Sequence, residues 1–100
     1  MRLPIHRFLL VLATLLLVWN LYAQTAVVSG TVTHRNGNPA VNVTVSIANR
    51  ASLTDVRGRY RVLGVPFGNQ TLRVLQNKKV LKELALTVNA EAVTHNETIP

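Results

Sequence analysis

Cysteine is missing from all 100 residues, so disulfides, thiolate metal sites and cysteine-linked lipids are excluded. Acidic residues are scarce as well. Asp55, Glu83, Glu91 and Glu97 are scattered along the chain, and no two are spaced to suggest a carboxylate pair for acid–base chemistry. After residue 23 the aromatics thin to Tyr60 and Phe67, too few for the stacking platforms that single-stranded nucleic acids require. Ser29, Ser46 and Ser52 lack a nucleophile-elbow context, and His34 and His95 have no helical zinc spacing. These gaps predict a non-enzymatic protein with no cofactor and no metal.

What is present begins with an ordered N-terminal succession. Arg2 and Arg7 precede an almost unbroken apolar run from Phe8 to Trp19, and the segment closes on the small residue Ala23. Basic, apolar and small zones in that order predict a secretory signal peptide over residues 1–23. The run is shorter than the roughly 20 apolar residues that a membrane-spanning helix needs. Export leaves residues 24–100 as one domain. Eleven Lys and Arg against four Asp and Glu give a net charge of +7. Arg2 and Arg7 fall in the predicted signal, which leaves +5 on the mature domain.

The mature segment reads as short strands with frequent turn signals. Val27 to His34 is a first strand, and Asn36-Gly37 marks a turn. From Val41 to Asn49, Val41, Val43, Val45 and Ile47 alternate with Asn42, Thr44, Ser46 and Ala48, the period of a half-buried strand. Leu53-Thr54 begins a third strand, and Asp55 to Gly58 forms a loop. Asp55 offers calcium one carboxylate where six to eight oxygens are needed, so it is read as bonding its own backbone. Tyr60 and Val62 point inward, with Arg59 and Arg61 outward. Gly64 to Asn69 turns the chain, after which Leu72 and Val74 point inward. Leu84, Leu86 and Val88 share one face, and Val93 to Ile99 is the last strand. No segment after residue 23 has helical periodicity. The pattern predicts an all-β, small antiparallel β-sandwich.

Several short motifs in order carry a resemblance. Ser29-Gly30-Thr31-Val32, Asn36-Gly37-Asn38-Pro39, Val43-Thr44-Val45-Ser46-Ile47, Thr54-Asp55-Val56-Arg57-Gly58-Arg59-Tyr60 and Val65-Pro66-Phe67-Gly68 follow one another. Thr87 to Val93 looks like a closing hairpin. The succession resembles the carboxypeptidase-regulatory-like domains, with Gln70 where that family usually has an aromatic and Asn42 where it has glycine. The resemblance implies a transthyretin-like β-sandwich, a fold grouped with carbohydrate-binding sandwiches. A signal peptide followed by this domain is similar to the start of a TonB-dependent outer-membrane receptor. Such a receptor would continue beyond Pro100 into a plug and barrel, so these residues alone are not expected to transport. The glycosylation patterns at Asn42, Asn69 and Asn96 are discounted, because the resemblance points to a bacterium.

The expected function is an exported accessory or interaction domain in the periplasm or outer membrane of a Gram-negative bacterium. A carbohydrate-binding module of the envelope is the alternative. The surplus of positive charge points to an anionic protein, glycan or lipid headgroup as partner; the expected export and the want of stacking aromatics on an outer face argue against nucleic acid. If the strands flanking Gly64 to Asn69 form a hairpin, Val62 pairs with Leu72 and Tyr60 with Val74. That register sets Arg61 opposite Arg73, with Arg59 beside them, as a patch for the anionic partner.

Overall fold

Residues 24–100 are described by the computed structural model; the predicted signal peptide lies outside them. Eight strands form two facing sheets: β1 (Thr25–His34), β2 (Thr44–Ile47), β3 (Arg50–Leu53), β4 (Arg59–Pro66), β5 (Gly68–Gln76), β6 (Lys79–Val88), β7 (Ala92–Thr94) and β8 (Glu97–Ile99). One sheet runs β3-β2-β5-β6 and is antiparallel throughout. The other has β1 at its centre, with β4 antiparallel on one side and β7 and β8 parallel on the other. The all-β sandwich is therefore present, but one sheet is mixed rather than antiparallel. The two parallel pairings join residues some 65 positions apart, a separation that local alternation does not encode.

The core is built by alternation. Val28 and Val32 on β1, Val45 and Ile47 on β2, Tyr60 and Val62 on β4, and Leu72 and Val74 on β5 are all buried, facing one another between the sheets. Each removes apolar surface from water, worth about 1.5–3 kcal/mol for a fully buried side chain of this size. Gly64, at φ +68°, lets β4 carry an extra residue against β1. Val65 is thereby buried like Val62, three residues earlier. The Arg50 guanidinium lies across Gly64 from β3.

Three expectations are corrected here. The third strand, expected to begin at Leu53-Thr54, spans Arg50–Leu53 and ends there. The strand predicted from Val41 to Asn49 contains only Thr44–Ile47. Asn42 adopts φ +57° and breaks the extended backbone before it, so the position where the family usually has glycine keeps a glycine conformation. Ala48 and Asn49 make a two-residue turn with φ +50° and +62°, and Asn77-Lys78 make another, the geometry of type I′ hairpins. Thr87 to Val93 is not a hairpin, because β6 and β7 belong to opposite sheets.

The largest correction concerns β4 and β5. They are not paired: Gly64 to Asn69 carries the chain from one sheet to the other. Tyr60 pairs with Gly30 and Val62 with Val28 on β1, while Leu72 and Val74 pair with Ile47 and Val45 on β2. The inward faces are as the alternation predicts, and the strand partners differ. Gln70 sits half-buried at the rim of this crossover, where its Nε2 donates to the Pro66 carbonyl at 3.1 Å.

Candidate functional site

The outer face of the β4-β1-β7 sheet forms an open groove of about 460 Å³. Alternation sends Ser29 and Thr31 outward from β1 and Arg59 and Arg61 outward from β4. Register places Arg61 beside Ser29 and Arg59 beside Thr31. Thr94 on β7 pairs with Ser29 on its other side. Asn96, between β7 and β8, accepts the Thr31 N–H on its Oδ1 at 2.9 Å. Two parallel rows result. One is Arg61, Ser29 and Thr94; the other is Arg59, Thr31 and Asn96.

The backbone beneath the arginines is pinned. Asp55 Oδ1 accepts the backbone N–H groups of Arg57 and Arg59, each at 2.9 Å. These two bonds, that of Arg59 first, hold the Asp55 carboxyl below its ordinary value, and the nearby Arg59 and Arg57 charges add to the effect. This is the self-bonded aspartate turn expected from sequence. The Arg61 N–H donates to Ser52 Oγ on β3 at 3.3 Å. Thr54, buried behind the loop, donates to the Ala40 carbonyl at 2.6 Å and accepts the Val43 N–H at 3.0 Å. The loop is thus fastened to the rest of the sandwich.

The floor is stitched from the opposite side. His95 donates its backbone N–H to the Ser29 carbonyl at 2.8 Å, and its own carbonyl accepts the Tyr60 hydroxyl. That carbonyl occupies the space where a side chain on residue 30 would begin, so only glycine fits there. Burial, with the Glu97 charge in second place, pushes the Tyr60 hydroxyl up to about 12. It therefore remains a donor at any ordinary pH. Glu97 bonds Lys82 Nζ on β6 and His95 Nε2, the latter at 2.8 Å. Burial pushes its carboxyl up, but the hydrogen bonds from Lys82, His95 and the Thr98 N–H outweigh this and hold it low. The cluster ties the two sheets together along the edge away from β4.

Among the described residues neither Arg59 nor Arg61 has a carboxylate within salt-bridge distance. The hydroxyls of Ser29, Thr31 and Thr94 also have no hydrogen-bonding partner there. Arg73, the third arginine of the predicted patch, lies on β5 in the other sheet. It pairs there with Glu83 across β6 at 2.9 Å, both side chains about half exposed. The predicted opposition of Arg61 and Arg73 does not occur. Sequence reading also missed the contributions of Ser29, Thr31, Thr94 and Asn96. The outward alternation of Ser29 and Thr31 was available as a signal, whereas Thr94 and Asn96 reach the site through long-range parallel pairing.

The chain belongs to the carboxypeptidase regulatory-like domain family, whose model matches residues 27–99. Among solved structures it is similar to a chain of a type II cohesin–X–dockerin complex from Acetivibrio cellulolyticus, an N-terminal interface mutant. The TM-score is 0.60 at 20% identity, over 72% of this chain and 52% of that one. A C-terminal interface mutant of the same type of complex gives a TM-score of 0.51 at 16% identity, over 73% and 52% of the two chains. The chain thus spans about half the length of these neighbours, and at such identities the likeness concerns the fold. No curated protein matches the chain.

Proposed function

We propose that the chain is an exported, non-enzymatic interaction domain of the Gram-negative envelope, of the kind that forms the N-terminal extension of a TonB-dependent receptor. Its partner-binding surface is the groove over Arg59 and Arg61. One observation carries this reading: two guanidiniums stand in register with a column of free hydroxyls and form no ion pair among the described residues, the nearby Asp55 carboxylate being engaged by backbone N–H groups. Such an array is suited to oxyanions, because a guanidinium fork and adjoining O–H groups all donate. The domain family, and the complexes in which similar folds occur, support a protein partner. The sugar-binding alternative gains nothing from the aromatics, since Tyr60 is buried and Phe67 packs against the core.

The test is fractionation of a Gram-negative host expressing the full chain. The mature protein is expected to begin at Gln24 and to associate with envelope components. Replacing Arg59 and Arg61 by glutamine should abolish that association, whereas Arg73→Gln should not. Retention of Met1 in soluble cytoplasmic protein would overturn export. Unchanged association of the double variant would overturn the assignment of this face.

A further inference from the structure

The two rows of the groove are similar in composition and fixed in spacing; the Asp55 carboxylate stands at the Arg59 row, where the Arg57 and Arg59 backbone N–H groups hold it. Successive outward residues on a strand are about 6.7 Å apart, and neighbouring strands about 4.8 Å apart. The groove therefore offers two oxyanion subsites roughly 7 Å apart along β4. Each combines a guanidinium with a hydroxyl on β1 and a further polar group, Thr94 in one row and Asn96 in the other. An extended polypeptide carries side chains of one face at this same interval, because its residues alternate sides.

Building on the reading of this face as the partner surface, we infer that the groove receives an extended acidic segment of polypeptide whose carboxylates fall on alternate residues. The segment lies over the sheet with its acidic side chains directed at the arginines. It does not extend the sheet at the β4 edge, because the Arg61 N–H is occupied by Ser52 and the Arg59 N–H by Asp55. Recognition is by side chains and not by strand addition. Nucleic acid also presents regularly spaced anions, but a strand bound in the groove would find no exposed aromatic on which to stack, Tyr60 being buried with its hydroxyl bonded to His95. The +5 surplus on residues 24–100 draws such a segment in, and the pinned β4 backbone sets the spacing at which it is read.

Isothermal titration of the full chain against two synthetic peptides tests this. Both contain equal numbers of glutamates in a threonine background. In one the glutamates occupy every second residue, and in the other every third, so that successive carboxylates of an extended chain point to opposite sides. The first peptide is expected to bind about tenfold more tightly, and Arg59→Gln or Arg61→Gln should each remove about tenfold of its affinity. Arg61→Lys should restore only part, because a lysine supplies charge without the planar fork. Both arginines are exposed, so thermal unfolding of the variants should match that of the parent.

Equal binding of the two peptides would overturn the inference, as would affinity unchanged by the arginine substitutions. Stronger arginine-dependent binding to phosphatidylglycerol vesicles than to either peptide would reassign the face to a lipid surface. If neither peptide binds while the double glutamine variant still loses envelope association, the ligand class is wrong and the partner face stands. If that variant keeps its association, the face itself is wrong.

Discussion

The two outer faces of the sandwich are made by the same alternation and differ sharply in chemistry. Over the β4-β1-β7 sheet, outward positions around the groove carry arginine, serine, threonine and asparagine; neither guanidinium is ion-paired among the described residues, and the one carboxylate in the groove, Asp55, is taken up by backbone N–H groups. Over the β3-β2-β5-β6 sheet, Leu53, Thr44, Leu75 and Val80 align in a row across all four strands. Leu53 and Val80 remain 63% and 46% exposed. The adjoining row holds Ala51, Ser46, Arg73 and Glu83, in which the two charges pair. One face leaves its cations available and the other neutralises its own. A count of arginines cannot separate these cases, because whether an arginine can take a ligand depends on what its neighbouring strand presents.

The most severe way to test that inward and outward positions behave differently is at adjacent residues of β2. Val45→Asp buries a carboxylate with no partner and should abolish folding, with loss of the circular-dichroism signature and of both faces together. Thr44→Asp, on the half-buried outer row, should cost less than about 1 kcal/mol in denaturant unfolding. Comparable losses would mean that the two faces had been exchanged.

A smaller and more selective break is Gly30→Ala. The added methyl meets the His95 backbone carbonyl, so β7 and β8 must shift relative to β1 at a cost of about 3 kcal/mol. Binding in the groove should fall with it, while the neutral face retains its structure by amide exchange. Gly37→Ala is the control. Residue 37 has φ +87° but open space around it, so only backbone strain of about 1–2 kcal/mol is expected. If Gly30→Ala costs no more than the control, the His95 carbonyl does not brace β1 at residue 30.

The mildest test is acid. Asp55 and Glu97 both have carboxyls held below their ordinary values in the folded protein. Their contribution to stability is therefore fully present above those ordinary values, near 3.8 and 4.5, and is lost as pH falls through them toward the folded values. Thermal midpoints should decline by a few degrees below about pH 4.5. Asp55→Asn keeps an oxygen to accept the Arg57 and Arg59 N–H groups and removes the charge, so it should flatten that decline. A midpoint equally acid-sensitive in the variant would remove Asp55 from the account.

Side-chain direction was the most legible property of the sequence. Period-two alternation gives Val43, Val45, Ile47, Tyr60, Val62, Leu72 and Val74 as inward, and each is buried; Val41, on the same alternation, is exposed because the positive φ of Asn42 breaks the strand after it. Strand partners were not legible. Gly64, Pro66 and Gly68 mark a reversal equally well whether the chain returns within a sheet or crosses to the facing one. Val62 and Leu72 point into the core in both cases, so nothing local distinguishes the two. The turns at Ala48-Asn49 and Asn77-Lys78 dispense with glycine, and the first was hidden inside an apparently continuous strand. Arg59 and Arg61 were identified because they flank an inward tyrosine on one strand. Their separation from Arg73, and their association with Thr94 and Asn96, follow from pairings that only the assembled fold creates.

The parallel placement of the last strands beside the first also has a mechanical meaning. Thr25 opens β1, and Ile99 pairs with His34 at its far end, about 30 Å away at some 3.3 Å per residue. Tension applied through Thr25 and Ile99 pulls β1 and β8 in opposite directions along a common axis. Parallel strands loaded this way must yield in shear, with the registered pairs of β7 and β8 on β1 strained together and not peeled apart in sequence. The Tyr60 hydroxyl on His95 and the Lys82 ammonium on Glu97 act as cross-ties against that sliding. Single-molecule extension from Thr25 and Ile99 should therefore show a higher rupture force than extension across the β5–β6 hairpin, whose antiparallel pairs open one at a time.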